Sequence, residues 1–172
     1  VLKDLIVTNN SGDEGGGGGI FCYEASPIIT GCLITNNTTN DVGGGLYSRN
    51  SSNVTIINTD FVSNEADLGA GCYLRNESVP SMTNVDFTSN IAANSGGAIV
   101  LKDNADAIMN QVTMVSNIAE GLGGGLYVNN ADPSLDYVLA FGNISSAGGG
   151  VYIRNNSDPI FSHTTVAYNT SG

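Results

Sequence analysis

The sequence predicts an all-β chain wound as a parallel β-helix, and three observations carry that prediction. The first is a recurring segment. Gly43-Gly44-Gly45-Leu46-Tyr47 is matched by Gly17-Gly18-Gly19-Ile20-Phe21, Gly69-Ala70-Gly71-Cys72-Tyr73, Gly96-Gly97-Ala98-Ile99-Val100, Gly123-Gly124-Gly125-Leu126-Tyr127 and Gly148-Gly149-Gly150-Val151-Tyr152. Their starts lie 26, 26, 27, 27 and 25 residues apart, and a fixed period in the twenties marks a solenoid. The second is a recurring asparagine: Asn10, Asn37, Asn64, Asn90, Asn117, Asn143 and Asn169 return every 26 or 27 residues. The third is apolar alternation of period two inside each unit, which is the periodicity of strands.

Composition agrees with many short strands joined by polar turns. Glycine accounts for 23 of 172 residues, hydrophobic residues for 41% and charged residues for only 12%. A helical domain would carry more Leu, Glu, Lys and Ala. The formal net charge of −11 argues against nucleic acid or an anionic membrane surface as partner. It suits a secreted or salt-tolerant protein. The three cysteines, Cys22, Cys32 and Cys72, show no CxxC spacing, which argues against metal or redox chemistry. No apolar run approaches the ~18 residues of a membrane span.

Taken in order, the chain opens on a fragment. Leu5-Ile6-Val7-Thr8-Asn9-Asn10 matches the end of a unit, Cys32-Leu33-Ile34-Thr35-Asn36-Asn37. Six full rungs are therefore expected after one partial rung, in a single domain spanning residues 1–172. After each glycine run the fourth position (Ile20, Leu46, Cys72, Ile99, Leu126, Val151) and the sixth (Cys22, Ser48, Leu74, Leu101, Val128, Ile153) are mostly apolar and should face inward. A turn rich in Asn, Ser, Asp and Pro follows, as in Asn130-Ala131-Asp132-Pro133. The next inward position is Ile29, Ile56, Met82, Met109, Leu135 or Phe161, and three residues on stands Cys32, Thr59, Val85, Val112, Val138 or Thr164. Between these two lies a series expected to bend the chain: Gly31, Asn58, Asn84, Gln111, Tyr137 and His163. A last apolar position precedes the asparagine.

Three short strands per unit follow from this pattern, with the glycines making the corner from the third strand back to the first. No unit buries its apolar side alone; stacking at ~4.8 Å per rung closes a continuous core roughly 30 Å tall. Stacked asparagines can form an amide ladder along the axis. A left-handed β-helix needs six-residue sub-repeats, which are absent, so the expected winding is right-handed. Neither end offers an amphipathic helix as a cover, so further rungs or another copy are expected against the ends.

The glycine start and an ending such as Phe61-Val62-Ser63-Asn64-Glu65-Ala66 or Phe87-Thr88-Ser89-Asn90-Ile91-Ala92 resemble the right-handed β-helix repeats of bacterial surface proteins, the polymorphic outer-membrane-protein repeats in particular. The likeness covers nearly the whole chain. It implies an extracellular or cell-surface stalk, adhesin or filament subunit, and distantly it extends to polysaccharide lyases.

Candidate functional residues lie on the outward side of the first strand. The fifth position reads Phe21, Tyr47, Tyr73, Val100, Tyr127, Tyr152, an aromatic ladder with one gap. The seventh reads Tyr23, Arg49, Arg75, Lys102, Asn129, Arg154, and so holds four of the five basic residues of the chain. Tyr47, Arg49, Tyr73, Arg75, Lys102, Tyr127, Tyr152 and Arg154 form the expected binding face, suited to sugar rings bearing carboxylate or sulfate; a solvated row of copied charges is the plainer reading. Candidate calcium ligands are Asp60 with Asp86 on one column and Asp106 with Asp132, followed by Asp158, on another. Asp13, Glu14, Asp41, Glu65, Asp67 and Glu120 fall in the short loops before the glycines. No other cofactor is expected.

An enzyme reading would make Arg75 or Lys102 the base of a lyase beside Asp103 and Asp106. Every loop between rungs is short, so nothing builds the walls of a cleft, and His163 stands alone. The expected activity is non-enzymatic, with further copies of the chain, head-to-tail or lateral, or a surface polysaccharide as partners. Cys22, Cys32 and Cys72 are expected as buried thiols, with a Cys22–Cys32 bridge as the less favoured alternative. Asn50-Ser51-Ser52, Asn76-Glu77-Ser78 and Asn143-Ile144-Ser145 are glycosylation sequons by pattern.

Overall fold

The computed structural model describes residues 1–13 and 15–172, which contain 24 strands and no helix. Every strand pairing is parallel and joins residues one period apart, as in Leu46 to Cys72, Cys72 to Ile99 and Ile99 to Leu126. The rungs stack into three sheets. Sheet 1 has six strands, one after each glycine start: Ile20–Tyr23, Leu46–Arg49, Cys72–Arg75, Ile99–Lys102, Leu126–Asn129 and Val151–Arg154. Sheet 2 has eleven strands and sheet 3 has seven.

The partition of a rung differs from the expected one. The second and third strands of the sequence pattern belong to one sheet. Thr55–Val62, Ser81–Thr88 and Ile108–Val115 cross the bend as unbroken strands of sheet 2. Elsewhere the bend divides the same path, as between Ile28–Thr30 and Leu33–Thr35. The third strand of each rung lies after the asparagine, at Ser11–Gly12, Thr38–Thr39, Glu65–Leu68, Ile91–Ser95, Ile118–Ala119, Ile144–Ser145 and Thr170–Ser171. These segments read as loops because their inward residues are small: Ala66, Ala92 and Ala119 pack with Ala70 in a narrow alanine core. Glu65 and Asp67 are therefore strand residues, and Glu14 lies outside the described residues. The N-terminal fragment is also fuller than a bare third strand. Leu2–Lys3 pairs with Ile29 and Thr30, Ile6–Thr8 with Leu33–Thr35, and Ser11–Gly12 with Thr38–Thr39.

The bends and corners carry left-handed residues stacked from rung to rung, singly at most columns and as adjacent pairs such as Asn50–Ser51 and Asn76–Glu77 after sheet 1. The expected bend column is one of them: φ is 63° at Gly31, 48° at Asn58, 54° at Asn84 and Gln111, 53° at Tyr137 and 45° at His163. The first glycine of each start is another. At Gly43 φ is 70°, and a Cβ there would stand 2.6 Å from the Leu46 carbonyl oxygen, so only glycine serves. The second and third glycines meet a different demand, close approach to the next rung, and Ala70 and Ala98 stand at those places.

Inside the coil the inward series stack as expected, except in the last rung, where Ile153 and Phe161 are exposed at the open end of the stack. Ile29, Ile34, Leu46, Ile56, Phe61, Leu74, Met82, Phe87, Ile99, Leu101 and Met109 are all buried, and each such side chain contributes about 1.5–3 kcal/mol relative to exposure. Phe61 and Phe87 lie ring over ring with centroids 4.8 Å apart and planes 9° apart. The asparagine ladder runs from Asn10 to Asn169. At each step one carboxamide oxygen accepts both the backbone N–H and the side-chain Nδ2 of the asparagine one rung earlier; onto Asn90 Oδ1 these come from Asn64, both at 3.0 Å. Asn90 Nδ2 donates in turn to Asn117 Oδ1 and to the Phe61 carbonyl, both at 2.9 Å. Asn37, Asn64, Asn90, Asn117 and Asn143 are fully buried, which places the Asn143 sequon out of reach of modification in the folded chain.

Candidate functional site

The fifth and seventh positions of sheet 1 face away from the core, as strand alternation requires. Beyond Phe21, which is 46% exposed, the fifth position is nevertheless not a surface. Tyr47 and Tyr73 are each 2% exposed and Tyr127 6%, while Tyr152 is half-buried. The expected contact surface of exposed tyrosines is thus corrected to a second, smaller apolar strip. Val42, Leu68 and Leu122, each standing just before the first glycine of its rung, pack onto Tyr47, Tyr73, Val100, Tyr127 and Tyr152. The left-handed glycine turns the chain sharply enough for the residue before it to cover the ring that follows. An apolar residue immediately before the glycines was the sequence signal for this; it falls outside the period-two pattern and so escapes a search for strands.

The arginines lie across the covered tyrosines and, in the first rungs, across the exposed Phe21 and Tyr23. The Arg49 guanidinium carbon is 5.1 Å from the Tyr23 ring centre and 5.5 Å from those of Phe21 and Tyr47. That of Arg75 is 5.8 Å from Tyr47 and 5.9 Å from Tyr73, and that of Arg154 is 5.6 Å from Tyr127. Arg49 Nη1 donates to the Tyr47 hydroxyl at 3.5 Å. Burial pushes the Tyr73 and Tyr127 hydroxyls up in pKa, against the opposite pull of Arg75 and Arg154 respectively. The Nε of Arg49 and of Arg75 is buried without a hydrogen-bond partner. Among the described residues none of these three arginines pairs with a carboxylate; of the column only Lys102 does, at 3.9 Å from Asp103. In a chain of net charge −11, the outer face of sheet 1 is therefore a row of cations held by packing and free to meet an anion.

The aromatic series beneath the cations is interrupted once. Val100 takes the aromatic place between Tyr73 and Tyr127, with which it is in register. Val100 is 1% exposed and packs with both tyrosines, Leu68 and Leu122; a half-open depression of about 240 Å³ lies over them, its rim including Asn94, Lys102 and Arg154.

The carboxylates do not converge. Asp60 and Asp86 are in register on sheet 2, as expected; burial first, and then the neighbouring Asp86 charge, raise the Asp60 pKa. Asp86 accepts a hydrogen bond from Thr113 Oγ1. On the turn after sheet 1, the Asp132 N–H donates to Asp106 at 2.7 Å and the Asp158 N–H donates to Asp132 at 2.6 Å. That column caps backbone groups of the next rung. The four candidate calcium ligands are split between two columns, and among the described residues no three His, Cys, Asp or Glu side chains gather as a metal site. His163 stacks on Tyr137 of the same bend column at 4.6 Å and pairs with the adjacent Asp136 at 2.8 Å. Cys22, Cys32 and Cys72 are free and buried; burial pushes the Cys72 thiol well up and Cys22 up, which makes inert thiols.

Three parallel sheets joined by short corners, with like residues over like, define a β-solenoid. Residues 3–139 match the family described as "Right handed beta helix region", and the chain belongs to that right-handed β-helix family. No curated protein and no solved structure matches it significantly.

Proposed function

We propose that the chain is a non-catalytic structural β-solenoid of the cell surface or extracellular space, serving as a stalk, adhesin or filament subunit. The observation that carries this reading is the asparagine ladder, which ties every rung from Asn10 to Asn169 to its neighbours through buried amide hydrogen bonds. Such a ladder makes a stiff, uniform rod. The resemblance of the glycine starts and Phe-x-x-Asn endings to polymorphic outer-membrane-protein repeats supports a surface location, and the acidic charge suits it. The exposed column Ile91, Ile118 and Ile144 on sheet 3 supports lateral contact with a further copy or another surface. The rod is expected to stand without calcium or another cofactor.

Negative-stain microscopy of the native protein at high concentration tests this reading. Rods or filaments are the expected outcome, and isolated single particles at every concentration contradict the filament form. Sustained cleavage of an acidic polysaccharide, lost in Arg75→Ala or Lys102→Ala, contradicts the non-catalytic reading as a whole. A second role, binding of acidic glycans along the unpaired arginines, is supported by the absence of carboxylate partners for Arg49, Arg75 and Arg154 among the described residues.

A further inference from the structure

One side of the rod carries an acid column and a base column next to each other. In two successive rungs an aspartate stands just before the covering residue and an arginine eight positions later: Asp41 with Arg49, and Asp67 with Arg75. The Asp67 N–H donates to the Asp41 carbonyl at 2.9 Å, and Ser48 is in register with Leu74, so both columns step by one rung. Leu68 packs on Tyr73, whose ring points away from the core, so this end of sheet 3 lies over the outer side of sheet 1. Asp67 precedes Leu68 in the same strand and faces the opposite way, which is outward. There it lines a shallow depression of about 310 Å³ together with Glu65 and Glu120. The arginines emerge beyond the edge of that cover. Neither column is neutralised within the chain. Among the described residues Asp41 accepts only the Gly15 N–H, at 3.2 Å, and no ion pair includes Asp41, Asp67, Arg49 or Arg75.

Adjacent columns of opposite sign select a partner. An acidic polymer laid along Arg49 and Arg75 would run beside Asp41 and Asp67, which oppose it. A second copy of the chain satisfies both columns. Two identical faces related by a two-fold axis parallel to the rod set the left column of each against the right column of the other. Parallel rods also share one rung spacing, ~4.8 Å. Asp41 then meets Arg49 of the second copy, and Asp67 meets its Arg75, at matching heights, and symmetry forms each pair twice. The antiparallel arrangement sets aspartate against aspartate. A face roughly 30 Å tall and about 20 Å across offers about 600 Å² per partner, at the low end for specific interfaces. Reversible association is therefore expected.

We propose that the outer face of sheet 1 pairs with the same face of a second, parallel copy, Asp41 and Asp67 of each meeting Arg49 and Arg75 of the other. This rests on the structural reading and assigns its lateral contact. Single rods that never pair would overturn the pairing and leave the structural role in place.

Sedimentation equilibrium of the intact protein tests it. A dimer with a dissociation constant on the order of 10 µM is expected at about 20 mM salt, weakened about tenfold at about 0.5 M. Arg75→Glu and Asp67→Arg should each weaken self-association about tenfold or more, because each sets like charges together. Mixing those two variants should restore a dimer containing one of each, since each supplies the charge that the other has lost. Lys3→Glu makes the same change of charge away from this face and should leave association unchanged. Should a reversal fail to fold by circular dichroism, Arg75→Gln and Asp67→Asn should each weaken association about threefold or more. Monomers at up to about 200 µM in low salt, undiminished association in the variants, or a mixture that stays monomeric would each overturn the proposal. So would monomers that bind a sulfated glycan through Arg49 and Arg75, which would give the face to a glycan.

Discussion

Asn90 and Asn117 are joined twice: the backbone N–H of Asn90 donates to Asn117 Oδ1 at 3.0 Å, and Asn90 Nδ2 donates to the same oxygen at 2.9 Å. One carboxamide thus serves as the acceptor that a sheet would otherwise have to supply at a corner. The remaining Nδ2 hydrogen goes to the Phe61 carbonyl, so the group is buried with its hydrogen-bonding capacity used.

The interior of the ladder should be far less tolerant than its ends. Asn90→Ala strips the acceptor from the Asn64 N–H and Nδ2 and the donor from the Phe61 carbonyl. With each stranded buried group costing about 1–3 kcal/mol, a loss of at least 3 kcal/mol is expected. Asn10 is exposed, and Asn10→Ala should cost less than about 1 kcal/mol. Urea unfolding of the two variants measures the contrast.

Burial of the tyrosine strip makes a second prediction, on which the exposed and covered readings differ. Tyr73 is 2% exposed, and Tyr73→Ala should cost about 3–5 kcal/mol. Arg75 lies over two rings and is half-buried, so Arg75→Ala should cost about 0.5–1 kcal/mol. Denaturation midpoints check both. A Tyr73→Ala loss under about 1 kcal/mol would return the tyrosines to the surface.

Asp60 gives a pH dependence of definite sign. Its pKa is raised in the folded chain by burial and by Asp86, so the fold favours the protonated form. The stability this contributes is complete below the ordinary aspartate range and is lost as pH rises through the raised folded value. Asp60→Asn should therefore be more stable than the parent at about pH 7, by about 0.5 kcal/mol because the pair is screened by solvent. The advantage should vanish at about pH 3. Chemical unfolding at the two pH values decides it.

The fold was largely legible because the repeat displays it six times over. Glycine at each start, asparagine at each corner and alternation between them are backbone demands, and Gly43 and Asn90 answer them through φ and hydrogen bonding alone. The strands of sheet 3 were not legible, since Ala66, Ala92 and Ala119 fill a space too narrow for the large side chains that signal a strand. The site was legible by column and misread by depth. Alternation gives the side of the sheet on which Tyr73 stands; it carries no information on whether Leu68, five residues earlier, folds back to cover it. The break in the aromatic series at Val100 stood in the sequence, but that Ser95 holds the covering place of the same rung is visible only once the cover is seen.

The claim on which the rest depends is that the rungs form one cooperative stack locked along the asparagine ladder. Amide hydrogen exchange of the intact protein tests it most directly. The backbone N–H groups of Asn37, Asn64, Asn90 and Asn117, each donating to the next asparagine at 2.9–3.1 Å, should exchange together and only as fast as the whole chain unfolds. Exchange of the Asn64 or Asn90 amide within minutes, well ahead of their sheet 2 neighbours Phe61 and Phe87, would contradict the account.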